Sequence, residues 1–135
     1  DNGWQIGLVQ GEWDGQHAPI EAHHPMRIAN LSSDQPGATV RIPVPNDWAG
    51  VLYVLDGNAT LDGQSITGRQ MALVSAGAAE SIELVCTDAV RMLVLTGAEL
   101  HEPVFSHGPF VMNTIQEVQQ AIFDYHDGKM GMLVE

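Results

Sequence analysis

From Trp4 to about Thr96 the chain alternates short apolar runs with turn residues. The runs are QIGLV (5–9), MRIANL (26–31), ATVRIPV (38–44), GVLYVL (50–55), ATLD (59–62), QMALVS (70–75), SIELV (81–85) and VRMLVLT (90–96). Asp34 to Gly37, Asp56 to Asn58 and Asp62 to Gly63 separate several of them and supply turn chemistry. Many short strands joined by close turns predict an antiparallel sandwich or barrel. In ATVRIPV the residues Val40, Ile42 and Val44 alternate with more polar neighbours, the pattern of a half-buried strand. GVLYVL and MLVLT are continuous apolar runs, which predicts strands covered on both faces and therefore a further element packed outside the sheet.

The period changes after Asn113. Thr114 and Glu117 form a capping box, Ile115, Val118, Ile122 and Tyr125 recur at helical spacing, and Gly128 supplies the stop. One amphipathic helix over about 115–127 is expected, packed on the outside of the barrel. The segment EPVFSHGPFVMNT (102–114) that precedes it is too rich in Pro and Gly to predict a regular strand. It nevertheless carries Val104, Phe105, Phe110, Val111 and Met112, more apolar side chains than a solvated loop keeps. These five are the candidate interface residues.

With 135 residues and 44% hydrophobic content, one globular unit with one core is expected over 1–135. Lys and Arg number 5 against 17 Asp and Glu, a net charge of -12, so the surrounding field repels phosphate backbones and argues against direct nucleic-acid binding. The single Cys86 cannot form an internal disulfide, which fits a reducing compartment, and the cytoplasm is the expected location. No apolar run has the length of a membrane span. The chain opens with DNGWQIG rather than Met, and a fragment of a longer protein is the expectation.

Candidate chemistry is sparse. His23 and His24 are adjacent, so on an extended strand they point to opposite faces, and a loop or strand entry is the simpler reading. His101, Glu102 and His107 have the ligand types of an iron(II) site, but Pro103 and Pro109 mark an extended surface crossing without a strand pair to fix them. His126 falls near the helix C-terminus, where the dipole favours a cation. Met112, Met130 and Met132 read as gap-fillers, and Cys86 as a small buried residue. No nucleophile elbow or Walker-type phosphate loop is present in the sequence.

One spacing stands out. Gly37 is followed by five residues, then Pro43, Val44 and Pro45, four more residues, Gly50, six residues and Gly57. This resembles the first cupin motif, in which glycine, His-x-His, Glu and glycine occur at those intervals. The ligand positions fall on Pro43, Pro45 and Gly50, none of which has a side-chain donor atom. A fourth ligand would fall near Ala79 or Ile82, and no His occurs between His24 and His101.

Residues 97–131, GAELHEPVFSHGPFVMNTIQEVQQAIFDYHDGKMG, carry a stronger likeness, which YVLDG at 53–57 extends upstream. They closely resemble the C-terminal signature of pirins, two-domain cupins. The resemblance implies an all-β, cupin-type antiparallel sandwich or barrel with one C-terminal α-helix. It further implies a metal-free C-terminal half that serves as scaffold and interdomain contact, with iron held by an N-terminal cupin not contained in this chain. No catalytic residue, metal or cofactor is assigned to the chain itself, and whether it is an enzyme is left open. The alternatives are a half of a quercetinase-like flavonol dioxygenase or iron-dependent redox regulator, and a small-ligand-binding barrel. The N-terminal half is the expected partner, with self-association when the chain is isolated.

Overall fold

The computed structural model describes residues 3–131; Met132 lies outside them. It contains thirteen strands and one helix among the described residues. The chain divides into two compact units, one running through Glu99 and a second beginning at Leu100. The division follows from local pairing: the described residues after Glu99 build a small fold of their own.

The first unit is a double sheet. Strands β1 (Gln5–Gln10), β4 (Met26–Ser33), β6 (Trp48–Asp56), β9 (Met71–Val74) and β11 (Val90–Ala98) form a five-stranded sheet in the order β1-β4-β11-β6-β9. Strands β5 (Thr39–Pro43), β7 (Asn58–Leu61), β8 (Gln64–Thr67) and β10 (Ser81–Cys86) form the other, in the order β5-β10-β7-β8. All strand pairs in both sheets are antiparallel. From β4 onward the chain crosses repeatedly from one sheet to the other, which is jelly-roll connectivity. A small hairpin, β2 (Glu12–Trp13) with β3 (Gln16–His17), turns through Asp14 and Gly15.

The alternation seen in the sequence sets which side chains fill the barrel. On β5 the buried residues are Val40 and Ile42, followed by Val44 just beyond the strand, and on β10 they are Ile82, Leu84 and Cys86. Leu31, Ile42, Leu84, Met92 and Val94 are fully buried, and transfer of such side chains from water stabilises the fold by about 1.5–3 kcal/mol each. GVLYVL and MLVLT are not buried on both faces as their composition implies. Leu52, Val54, Met92 and Val94 face the core, whereas Val51, Tyr53 and Leu93 are half-buried and Leu55 and Leu95 exposed.

The second unit is a hairpin and a helix. Strands β12 (Phe105–His107) and β13 (Phe110–Met112) pair with Phe105 opposite Met112, so the segment expected to be irregular contains a strand pair. Its Gly108 and Pro109 sit in the turn and punctuate the strands instead of preventing them. Helix α1 (Ile115–His126) packs against this hairpin, burying Val118 and Ala121, and Phe110 meets Tyr125 edge-to-face with ring centroids 6.2 Å apart.

Both ends of the helix are as the sequence predicts. The Glu117 N–H donates to Thr114 Oγ1 at 3.2 Å and the Thr114 hydroxyl donates to the Glu117 carboxylate at 2.9 Å, while Gly128, at φ +73°, follows the C-cap Asp127. Replacing Thr114 by Ala removes the acceptor for the Glu117 amide. We expect T114A to lower stability by about 1 kcal/mol, read from the denaturation midpoint; an unchanged midpoint contradicts the cap's contribution.

Candidate functional site

At one end of the barrel β4 turns Arg27 inward, on the same face as Ala29 and Leu31. The side chain is 6% exposed. Its guanidinium lies between two indoles, 5.2 Å from the Trp13 ring centroid and 5.4 Å from that of Trp48, within cation–π range. Nε–H donates to the Glu12 carbonyl at 2.7 Å and one terminal N–H donates to the Pro43 carbonyl. Arg27 therefore links the five-stranded sheet to the four-stranded sheet and to the β2–β3 hairpin. Burial pushes its pKa below the ordinary guanidinium value, and the nearby Glu12 carboxylate partly opposes this.

The Gly37–Gly57 frame meets the barrel at this same end. Period-two alternation puts Ile42 and Val44 on the core side, one residue out of step with the positions that the spacing selects. Pro43 and Pro45 are exposed, and Pro43 contributes only its carbonyl. Gly50 cannot be replaced by a ligand-bearing residue in this backbone: a Cβ there would stand 2.1 Å from the Leu95 carbonyl oxygen. Of the two candidates for a fourth position, Ile82 is buried and Ala79 half-buried, and neither has a donor atom.

Iron(II) takes imidazole and carboxylate ligands, and the inward residues at this end are Ile42, Val44, Ile82 and Arg27, with the Thr96 hydroxyl beside Arg27 in the ladder. Thr96 Oγ1 is buried and has no hydrogen-bond partner among the described residues. One hydroxyl and a guanidinium do not fit a metal ion. The frame glycines instead answer to backbone needs. Gly37 and Gly57 both have φ +85°, and a Cβ at Gly57 would lie 1.7 Å from the Ala89 carbonyl oxygen.

The remaining candidates do not assemble into a site. Among the described residues no group of three or more His, Cys, Asp or Glu side chains is placed to hold a metal ion. His101, Glu102 and His107 are exposed; Glu102 accepts from the Asn113 side-chain amide, and His107 lies on β12 opposite Phe110. His24 donates through Nε2 to the Ala98 carbonyl at 2.8 Å, while His23 is exposed. Cys86 is buried with its thiol against the Asp88 carbonyl, 2.8 Å away. Val104, Phe105 and Val111 are exposed, and Phe110 and Met112 half-buried. No described helix is long and apolar enough to cross a membrane.

Comparison with known families decides the lineage of this barrel. Residues 32–131 match the model described as the pirin C-terminal cupin domain. The chain belongs to that family. Human pirin is 29% identical over 134 residues, which are 96% of this chain and 46% of that protein, and mouse pirin is 30% identical over the same shares. The chain thus spans about half the length of the curated relatives it matches. The crystal structure of quercetin 2,3-dioxygenase from Acinetobacter baumannii superposes with a TM-score of 0.84 at 27% identity, over 98% of this chain and 46% of the other. The cupin fold, its antiparallel sheets and the confinement of the match to a C-terminal domain agree with the resemblance in residues 97–131.

Arg27 had no place in the sequence reading, although its parity with Ala29 and Leu31 in MRIANL and the presence of Trp13 and Trp48 were the available signal. Shortening it in R27A leaves two indoles without their cation and two carbonyls without their donor. We expect a loss of about 2–4 kcal/mol in denaturant unfolding, since hydrogen bonds to a charged group and ring contacts go together. A change below about 0.5 kcal/mol, the scale of an ordinary surface substitution, contradicts the role given to Arg27.

Proposed function

We propose that this pirin C-terminal cupin domain is metal-free and acts as scaffold and contact surface for an iron-binding N-terminal cupin in its parent protein. The observation that carries the reading is the outward face of the five-stranded sheet. Ile28, Leu95, Val51 and Leu73 stand in register across β4, β11, β6 and β9, and Leu93, Tyr53 and Met71 form a second row. Leu73 is 76% exposed and Met71 59%, Leu95 is exposed, and Ile28, Val51, Tyr53 and Leu93 are half-buried, so both apolar rows are only partly covered within the barrel unit. A contiguous apolar sheet face of this kind marks an interaction surface. Val104, Phe105, Phe110, Val111 and Met112 in the second unit are offered as a further contact region.

A second reading makes the parent a quercetinase-like flavonol dioxygenase whose active site lies in the other half; the likeness to the Acinetobacter baumannii enzyme favours it. Both readings give this chain the same part. It supplies walls and support, and the reaction, whether dioxygenation or redox signalling, belongs to the iron-bearing half. A cytoplasmic setting suits both.

The interface is tested by producing the parent's other half as a separate chain and measuring its binding to this one. We expect a one-to-one complex that the V51D and L95D pair weakens by more than tenfold, the scale of losing a buried apolar hot spot. The isolated chain is expected to self-associate through the same face, and the double variant to remain monomeric. Undiminished binding by V51D and L95D overturns the assignment of this face.

A further inference from the structure

Strands β8 and β9 are the edges of their sheets, and they lie on the same side of the barrel because residues 68–70 connect them directly. No described strand bridges the gap. A cavity of about 720 Å³ opens there, within the range of small-molecule sites. Its lining includes Leu52, Ile66, Val74 and Ile82, all members of the core cluster. Ile66, Val74 and Ile82 retain 6%, 9% and 8% exposure, whereas Leu31, Ile42, Leu84 and Met92 retain none. These floor residues are buried, and the cleft ends on them.

The rim is polar but almost uncharged. Among the described residues Asp62 is its single ionisable group, and that carboxylate already accepts the Glu83 N–H at 2.8 Å. Gln70 accepts the Thr67 N–H through Oε1 at 2.9 Å, which commits its oxygen and leaves its amide N–H groups as donors at the mouth. An apolar floor under a wide rim of amide and hydroxyl groups fits a small neutral amphipathic molecule, with an apolar face for the floor and oxygen acceptors for the rim. The net charge of -12 disfavours an anion.

The geometry points to the β8–β9 cleft as a binding site for a small, neutral, amphipathic molecule. Its rim shares Met71 and Leu73 with the outward face given to the partner domain, whereas its floor of Leu52, Ile66, Val74 and Ile82 faces the core, and it asks nothing of a metal. Ala72 is the wall residue best suited to test it, since it faces inward opposite Leu52 and has room beside it to fill.

The probe is Nile red, a neutral dye with a carbonyl, titrated into the 135-residue chain with methyl-labelled side chains. We expect saturable binding that shifts the methyl resonances of Leu52, Ile66, Val74 and Ile82. A72W should weaken binding by about tenfold or more with the circular dichroism unchanged. If A72W does not fold, the map from the unsubstituted chain decides. Methyl shifts confined to Val51, Leu93 and Leu95 place the dye on the outward face and overturn the proposal while leaving the interface reading intact. Absence of saturable binding overturns it as well.

Discussion

The guanidinium of Arg27 is the fixed point from which the end of this barrel is built. A positive charge drawn out of water must be met by acceptors and polarisable faces, and here two carbonyls and two indoles meet it. The acceptors come from different sheets. Satisfying one charge therefore draws β4, β5 and the β2–β3 hairpin together and sets Trp13 and Trp48 over the interior. Alternative packings of this end leave a buried cation short of partners, so the interaction selects one arrangement as well as stabilising it.

That constraint explains how a cupin frame persists without ligands. A metal would tie strands of both sheets through donors at their inward positions. In this chain apolar side chains fill those positions, and a protein-borne cation crosses between sheets nearby. The glycines that bound the frame serve turns and a close strand approach, needs that remain when the ligands are gone. Their spacing reports jelly-roll geometry; the chemistry is read from the inward side chains.

Much of the fold was legible. Turn residues and alternating apolar positions located the main strands, and the capping box with Gly128 fixed both ends of α1, because these signals are local and each has its own physical cause. The ligand frame failed by one residue at Pro43 and Pro45, since glycine spacing carries no information about which face of a strand is buried; Val40, Ile42 and Val44 held that information in the same segment. The β12–β13 hairpin was missed because Gly108 and Pro109 were read as breaking strands when they turn between them. The apolar runs predicted strands covered on both faces, whereas their outward residues are half-buried or exposed, because composition does not distinguish an outward face open within its own unit from one already covered. Arg27 escaped notice because its role exists only when residues distant in sequence converge.

The central claim is that packing and one buried guanidinium do here what a metal ion does in other cupin barrels. Titration of the chain with ferrous iron under anaerobic conditions, followed by elemental analysis after desalting, tests it most directly. The account predicts no retained stoichiometric iron. One equivalent of tightly held iron, surviving the simultaneous change of His101, Glu102 and His107 to Ala and so assigned to the barrel, would contradict it.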